Sequence, residues 1–305
     1  MTTSPAATPA VSLRSLAKHY GIIRAVDGIS LDVRQGEVLG FLGLNGAGKT
    51  TTIRILLDLL RPTAGSAEVF GIDCQRDSAR ARALIGYLPG ELGLQTEMTG
   101  AQLLRLTSRL GSTPIDAGYQ RQLAERLELA QDDLRRPLRE YSSGMKRKLG
   151  LIQALQSDPP LIILDEPTEG LDPLVQRALY ELLVELRAKG RTIFMSSHVL
   201  SHVERLCDRV AVIRKGQIVL VETVDELRHR GRRIVRVHFS RPVDAVALPG
   251  TMTFVERTAD SWTIRADGAI GALLRLVAAY PVLDVDVIEP TLEDILHDYY
   301  RERTA

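Results

Sequence analysis

The fold of this chain is decided by one short stretch of its sequence, Gly43-Leu44-Asn45-Gly46-Ala47-Gly48-Lys49-Thr50. It has the spacing G-x-x-x-x-G-K-S/T, in which a glycine-rich loop turns its backbone N–H groups toward a polyphosphate. The apolar run Val38–Leu42 precedes the loop, and apolar residues with helical spacing follow it, at Ile53, Leu56, Leu57 and Leu60. A glycine-rich turn beside a surface lysine is the alternative. The strand before the loop and the helix after it favour a nucleotide site in an α/β fold.

Three side chains of this segment are expected to contact the nucleotide or its metal ion. Lys49 is predicted to reach the β- and γ-phosphates, Thr50 to bind Mg²⁺ and Thr51 to bond the α-phosphate. The helix that starts near Lys49 adds the positive end of its dipole to this anion site. The predicted nucleotide-binding residues of the segment are Gly43, Asn45, Gly46, Ala47, Gly48, Lys49, Thr50 and Thr51.

A second apolar run, Leu161-Ile162-Ile163-Leu164, ends in the acids Asp165 and Glu166. A buried strand would deliver both acids to the carboxyl edge of the sheet, where open α/β folds bind their ligands. Asp165 suits a Mg²⁺ site, with water as a bridging ligand. Glu166 is placed to polarise a water for in-line attack on the γ-phosphate. The alternative is that a strand ends in acids because loops are polar, and the upstream loop makes this less favoured.

The composition and length describe a globular protein of about two domains. Its 305 residues are 45% hydrophobic and 25% charged, and 39 basic against 38 acidic residues leave a net charge of +1. Such a balance provides no global attraction to nucleic acid. No apolar stretch approaches the about 20 residues that a membrane-spanning helix needs, and residues 1–10 do not resemble a signal peptide. We therefore expect a cytoplasmic chain that does not enter a bilayer by itself.

The pattern of apolar, charged and turn-forming residues changes along the chain and predicts where its domains begin and end. Residues 1–10 are expected to be a disordered tail, and residues 11–227 alternate strands with helices as in an α/β layer structure. Within that domain, residues 91–158 are expected to form a helical subdomain, with a break at Gly111–Pro114. The run from Arg228 to Arg233 is expected to be a basic, solvated linker. Residues 228–305 are predicted to be a small accessory α+β domain of strands and helices.

Taken together, these segments resemble the nucleotide-binding subunit of an ATP-binding cassette (ABC) transporter over residues 11–227. The resemblance implies a P-loop ATPase that binds ATP with Mg²⁺. Ser142, Ser143 and Gly144, at the start of a helix, are similar to the family signature Leu-Ser-Gly-Gly-Gln, although only Ser142 and Gly144 match it. In the family this segment contacts the γ-phosphate of ATP held by the opposite subunit. An ordinary serine N-cap is the alternative.

The resemblance implies roles for three further residues. Asp172, in Glu169-Gly170-Leu171-Asp172, falls in the loop that crosses the dimer interface in the family. His198, after the apolar run Thr192–Ser197, matches the histidine that senses the γ-phosphate, and a structural histidine is the alternative. Tyr20 lies where the family places an aromatic ring against adenine, and a tyrosine of the core is the alternative.

One departure from the family concerns the metal site. A glutamine usually follows the segment equivalent to Ile85–Pro89, and this chain has Gly90 and Glu91 there. Glycine offers no side-chain amide to Mg²⁺ or to the attacking water. Either Glu91 takes that place, or backbone and water do, or the coupling to the metal is weaker. The other histidines, His202, His229, His238 and His297, have no motif around them and are expected to be surface or packing residues.

The resemblance also implies partners. One phosphate loop and one signature in the chain call for a second copy of it, because a symmetric homodimer completes two composite sites. The closing segment, residues 289–296, resembles bacterial ABC-2 type exporters of drugs and antibiotics, whose ATPases bind a separate integral membrane permease. The chain would then lie on the inner face of the cell membrane. A soluble non-transport ABC ATPase acting on ribosomes or DNA, and a binding-only regulator with weak hydrolysis, are the alternatives.

Overall fold

The computed structural model describes residues 8–93, 97–110, 115–230, 233–244, 246–250, 252–266, 270–288, 292–293 and 295. The chain divides into two compact units, Met1–Val221 and Glu222–Ala305. Each unit is described by itself below.

The first unit carries the strands of the predicted α/β domain. The strands are β1 (Val11–Tyr20), β2 (Ile23–Val33), β3 (Val38–Leu42), β4 (Ala64–Val69), β5 (Ile72–Asp73), β6 (Ile85–Leu88), β7 (Leu161–Asp165), β8 (Thr192–Ser197), β9 (Arg209–Arg214) and β10 (Gln217–Thr223). The helices are α1 (Lys49–Leu56), α2 (Ser78–Ala83), α3 (Gly100–Leu110), α4 (Ala117–Arg126), α5 (Ser143–Leu155), α6 (Pro173–Ala188) and α7 (Leu200–Leu206). Short 3₁₀ turns occupy Asp133–Arg135 and Leu138–Glu140.

A six-stranded sheet of order β10-β9-β3-β8-β7-β6 forms the centre of this unit. Its inner pairs, β3 with β8 and β9, and β7 with β6 and β8, are parallel. Strands β3, β7 and β8 are buried along their whole length, as expected where both faces of a parallel sheet are covered. Their carboxyl ends therefore meet at one edge, with Leu42 opposite Ser197 and Asp165 opposite Ser196.

An antiparallel sheet of order β2-β1-β4-β5 packs on the same core. That core draws on both sheets and on α1, and the rings of Phe41 and Phe194 lie 5.3 Å apart in it. Helix α1 ends at Leu56, earlier than the apolar spacing through Leu60 indicated. The chain turns at Asp58, whose φ is 53°, and an aspartate tolerates this left-handed conformation.

Residues 97–155 contain α3, α4 and α5, in the region predicted to be a helical subdomain. Asp116 caps α4 by accepting the N–H groups of Gly118 and Tyr119. The predicted break at Gly111–Pro114 lies outside the described residues. Helix α6 begins after Asp172 and ends before Gly190, as the cap and proline at its start and the glycine at its end indicated.

The second unit contains α8 (Val224–Arg230), β11 (Arg233–Phe239), β12 (Thr253–Arg257), β13 (Ser261–Ala266), α9 (Gly271–Val277) and β14 (Val282–Ile288). The strands form an antiparallel sheet of order β12-β13-β11-β14. Trp262 is fully buried at the centre of a separate core, with the ring of Phe239 4.6 Å from its own. Of the segment of residues 289–296, which carried the resemblance to exporters, only residues 292, 293 and 295 are described.

The basic run from Arg228 was predicted to be a linker, and the structure corrects this as far as Arg230. Those residues are the last turn of α8, and the predicted boundary after Leu227 falls inside that helix. Thr223 and Glu226 cap it reciprocally: the Thr223 hydroxyl accepts the N–H of Glu226, and the Glu226 carboxylate accepts that of Thr223. This T-x-x-E signal is local and visible in the sequence.

Of the tail predicted for residues 1–10, residues 1–7 lie outside the described part of the chain. Ala10 is buried, and its N–H donates to the carbonyl of Val33 at 2.8 Å. Among the described helices, none has the length and apolar character that crossing a membrane would require.

Candidate functional site

The phosphate loop connects β3 to α1, and its shape depends on two glycines. Gly48 has a φ of 114°, and a Cβ there would lie 2.5 Å from the carbonyl oxygen of Ala25. A Cβ on Gly43 would lie 2.5 Å from the carbonyl oxygen of Ile213. Neither position has room for a side chain, because backbone from neighbouring strands touches the loop on both sides.

Lys49 is folded back into its own loop and is only 7% exposed. Its Nζ donates to the carbonyls of Gly43 at 2.6 Å and Leu44 at 3.4 Å, and lies 3.7 Å from Oε1 of Glu166. The ammonium is thus fixed between the loop and the acid at the end of β7. A cavity of about 300 Å³ opens here and is lined by Ala25, Leu44, Asn45, Gly46, Ala47, Gly48, Lys49, Thr50, Thr51, Asp165 and Glu166.

Asp165 is 2% exposed, and hydroxyl groups bond both of its carboxylate oxygens. The hydroxyl of Thr50 donates to Oδ2 at 3.1 Å, and that of Ser196 donates to Oδ1. The hydroxyl of Thr50 and the carboxylate of Asp165 are hard oxygen donors, which suit Mg²⁺ that keeps part of its water shell. The pair predicted from sequence to hold the metal is therefore brought together and fits it chemically.

Glu166 follows with a left-handed backbone, φ 52°, which costs a non-glycine residue about 1–2 kcal/mol. Its N–H donates to Ser196, to the carbonyl at 3.3 Å and to the hydroxyl at 3.1 Å. Its carbonyl accepts a hydrogen bond from the guanidinium of Arg147. Bonds to the two peptide groups hold the backbone in a conformation that aims the side chain at Lys49 and at His198, whose Nδ1 lies 2.8 Å from Oε2.

Gly90 and Glu91 stand where the family usually has a glutamine, and metal binding by Glu91 stays a prediction. Glu91 is exposed, and no hydrogen bond from its side chain to the loop or to Asp165 is present among the described residues. Gly90 is the residue that faces the acid, since a Cβ there would lie 3.3 Å from Oδ2 of Asp165. The backbone of Gly90 therefore packs closely against the carboxylate of Asp165, and a side chain at this position would be crowded.

The signature residues lie at the start of α5. The hydroxyl of Ser142 accepts the N–H of Met145 at 3.2 Å, so the residue is an N-cap, while Ser143 is exposed. Gly144 faces the carbonyl of Gly170, 2.9 Å from where its Cβ would be. Within the described part of the chain, no hydrogen bond or ion pair joins Ser142 or Ser143 to the phosphate loop.

Asp172 and Tyr20 complete the predicted set. Asp172 caps α6 by accepting the N–H groups of Leu174 at 3.1 Å and Val175 at 3.0 Å, and the bond from Val175 is the main cause that lowers the pKa of its carboxyl. Tyr20 is 50% exposed, with Nζ of Lys18 5.1 Å from its ring centroid. The alternative of Tyr20 as a core residue is therefore wrong.

Sequence reasoning missed three residues of this region. Arg147 and Ser196 bind the Asp165–Glu166 segment, and neither stands in a motif that marks it. His202 was expected at the surface or in packing, and its ring does pack against that of Tyr180, with 5.6 Å between the centroids. Its hydrogen bond of 3.1 Å, which Nδ1 shares with the hydroxyl of Thr168, was not foreseen. His198 lies before α7 and His202 lies within it, so no helical spacing relates the two histidines.

The comparisons with other sequences agree with this geometry. A family model described as "ABC transporter" matches residues 26–169. The chain is 33% identical to the bacitracin transport ATP-binding protein BcrA of Bacillus licheniformis, over 95% of each chain. It is 39% identical to the daunorubicin resistance ATP-binding protein DrrA3 of Streptomyces coeruleorubidus, over 73% of this chain and 71% of that one.

Solved structures resemble the chain as well. An ATP-binding subunit of an ABC transporter matches with a TM-score of 0.67 and 30% identity, covering 72% of this chain and 92% of that one. A dimeric post-hydrolysis state of the ATP-binding cassette MJ0796, bound to ADP and Pi, matches with a TM-score of 0.64 and 23% identity, covering 70% and 98%. The fold predicted from the sequence is confirmed.

His202 gives this site a testable dependence on pH. Burial lowers the pKa of His202, and His198 lowers it further, while Glu166 acts in the opposite sense. The unfolded chain takes up a proton near pH 6.5, before the folded one does, so stability is lost as the pH falls below that value. We expect His202→Asn, which keeps a polar partner for Thr168, to reduce the fall in Tm between pH 7.5 and 5.5.

Thermal unfolding of the full chain followed by circular dichroism measures the effect. The control is His238→Asn, at an exposed position of β11. An unchanged pH dependence in His202→Asn would show that this histidine does not contribute to acid sensitivity.

Proposed function

This chain belongs to the ABC transporter family, as an ATP-binding subunit with ATPase activity, and we propose that its ATP hydrolysis powers export through a separate membrane permease. One observation carries the catalytic part of the proposal. Lys49, Asp165 and Glu166 line a single cavity at the carboxyl edge of a parallel sheet, beside an exposed His198. This arrangement puts a phosphate-binding cation, a metal-binding pair and a base within reach of one polyphosphate.

The proposed roles follow from these positions. The loop N–H groups and Lys49 bind the β- and γ-phosphates, and Thr51 bonds the α-phosphate. Thr50 and Asp165 hold Mg²⁺, which when bound offsets the negative charge of the phosphates. Glu166 accepts a proton from the attacking water, and the oxygen of that water forms a bond to the γ-phosphorus. The bond from the γ-phosphorus to the bridging oxygen breaks at the same time, so that ADP and phosphate are the products.

His198 has a proposed role through its contact with Glu166. Its Nδ1 lies 2.8 Å from the carboxylate, so the imidazole can orient that group and at the same time face the γ-phosphate. Tyr20, half exposed at the end of β1, is proposed to supply a ring for the adenine.

The base role of Glu166 is tested by Glu166→Gln. The amide keeps the size of the side chain but cannot accept the proton, so we expect steady-state hydrolysis to fall by about 100-fold or more. ATP binding is retained, and light scattering in excess ATP should detect a dimer that persists because it cannot turn over. Phosphate release measures the rate, with the exposed Glu181→Gln on α6 as control. Turnover near the native rate would remove the base role from Glu166.

The proposed active form is a homodimer with composite sites. The N-terminus of α5 presents an exposed Ser143 and free N–H groups, a suitable anion contact, but within one chain it makes no bond to the phosphate loop. A second copy in two-fold relation brings this helix end to the first copy's nucleotide and receives the same contact in return. Each site is incomplete without the partner copy.

A mixing experiment tests the composite site. Lys49→Ala removes the phosphate cation, and Ser143→Glu places a negative charge that suits a helix N-terminus but repels a phosphate. Each variant alone should be inactive. Mixed in equal amounts they form heterodimers with one intact site, and hydrolysis should return to about a quarter of the native rate. Each variant mixed with itself is the control, and a mixture no more active than its components would contradict the shared site.

Export and the location of the chain follow from the relatives. A relative named for bacitracin transport covers nearly the whole length of this chain, and another is named for daunorubicin resistance. Because the described helices offer no membrane span, we propose that a permease of ABC-2 type supplies the pathway and the selectivity. The chain is then held at the inner face of the membrane by that permease.

The permease is tested by coexpression with the membrane protein encoded beside this chain's gene. We expect the chain to sediment with membranes, and to resist a high-salt wash, only when a protein with several spanning helices is present. The chain expressed alone is the control. Equal distribution in both samples would contradict the permease, and a salt-sensitive gel shift with RNA or DNA would favour the non-transport alternative.

A further inference from the structure

Arg147 is a buried cation beside the acids Asp165 and Glu166, and it has no role in the mechanism proposed above. It lies in the first part of α5 and is only 3% exposed. Burial lowers the pKa of its guanidinium, while the nearby acids Glu169, Asp165 and Glu166 oppose that effect. A buried charge of this kind is costly unless it is well bonded, so its contacts identify what it holds in place.

The guanidinium joins two separate segments by their backbone carbonyls. Nη1 donates to the carbonyls of Pro89 at 2.7 Å and Gly90 at 3.0 Å, in the turn after β6. Nη2 donates to the carbonyls of Asp165 at 3.2 Å and Glu166, at the end of β7. One side chain therefore binds four carbonyl oxygens from the two strand ends that flank the metal-binding acid.

Both segments are ones whose position matters for hydrolysis. The turn at Gly90 lies against the carboxylate of Asp165, with 3.3 Å between Oδ2 and a Cβ built on the glycine. Glu166 has a left-handed backbone, and its carbonyl is held by Arg147 while its N–H is held by Ser196. Without the guanidinium, the Glu166 carbonyl keeps the hydrogen bond from the N–H of Glu169, at 3.2 Å, but loses its connection to α5.

The geometry is specific to arginine. A planar guanidinium carries donors in a fixed fork and can bridge two pairs of carbonyls at once, whereas an ammonium is a compact point charge. The only carboxylate within ion-pair distance of Nη2 among the described contacts is that of the exposed Glu169, at 3.8 Å. Arg147 is thus bonded mainly to backbone, and it acts on the site by position rather than by pairing with an acid.

We propose that Arg147 is a positioning residue for ATP hydrolysis, which fixes the turn at Pro89–Gly90 and the backbone of Asp165–Glu166 relative to each other. In this chain it takes over part of the ordering that a glutamine side chain at position 90 could have given. Its hydrogen bonds go to backbone carbonyls, and it lies on the helix that begins with the signature. A movement of α5 is therefore transmitted to the Glu166 carbonyl through one side chain. The proposal rests on the proposed base role of Glu166.

The test compares Arg147→Gln and Arg147→Lys in the full chain. We expect kcat to fall about 10- to 100-fold in Arg147→Gln, because a displacement of the base of about 1 Å has an effect of that size. The kcat of Arg147→Lys should lie between that of Arg147→Gln and that of the native protein. The affinity for fluorescent ATP analogue without Mg²⁺ should change less than threefold, since the phosphate loop is not touched. Hydrogen exchange in the peptide that covers residues 165–170 should become faster.

The matched control is Arg80→Gln, an exposed arginine on α2 that pairs with Asp77 at 2.8 Å. Unchanged kcat in Arg147→Gln with a native ATP affinity would overturn the proposal. So would a loss of folding in Arg147→Lys, which would make the residue a structural one. A native chain without ATPase activity would instead refute the proposed function, so the two failures are distinguishable.

Discussion

The whole nucleotide site depends on one buried carboxylate, that of Asp165. A charged carboxylate out of contact with water is strongly unfavourable, and two hydroxyl donors, Thr50 and Ser196, offset that cost with bonds worth about 1.5–3 kcal/mol each. The donors come from the start of α1, which follows β3, and from β8, which pairs with the acid's own strand β7. The charge thus ties three chain segments to one point, and the distance between the phosphate loop and the acids follows from it.

The backbone of the next residue, Glu166, is also held in place by hydrogen bonds. Its left-handed backbone costs about 1–2 kcal/mol, which hydrogen bonds on both of its peptide groups can offset. Ser196 contributes to both acids, since it donates to Asp165 and accepts from Glu166. The carboxylate of Glu166 is left free to contact Lys49 and His198, the two groups next to the expected γ-phosphate. Strain here is localised at the residue proposed to act as the base.

The proposed homodimer would combine two parts of the site that lie apart in one chain. Backbone of neighbouring strands packs against the phosphate loop, whereas the helix end at Ser143 is exposed and makes no hydrogen bond to that loop among the described residues. A net charge of +1 offers no strong long-range field, so the local arrangement of Lys49, Arg147 and the two acids dominates the electrostatics near the nucleotide. This is compatible with a protein that cycles between open and closed dimers as ATP binds and leaves.

Much of the fold and part of the site could be predicted from the sequence, because the responsible interactions are local. The glycines of residues 43–48, the buried run before Asp165 and the cap and glycine at the ends of α6 each act within a few residues. The same local logic applied to Thr223 and Glu226 would have predicted the start of helix α8, which covers the predicted linker as far as Arg230.

The sequence by itself thus determined the P-loop, the order of the motifs and the identity of the acids. Only the tertiary structure decided what holds those acids. Arg147 and Ser196 are 18 and 31 residues from Asp165 in the chain, and no local pattern relates them to it. They meet because parallel pairing places β8 beside β7 and because α5 packs across the turn that follows β6. Contacts of that kind are set by the order of strands in the sheet, which becomes defined only when the whole core has packed.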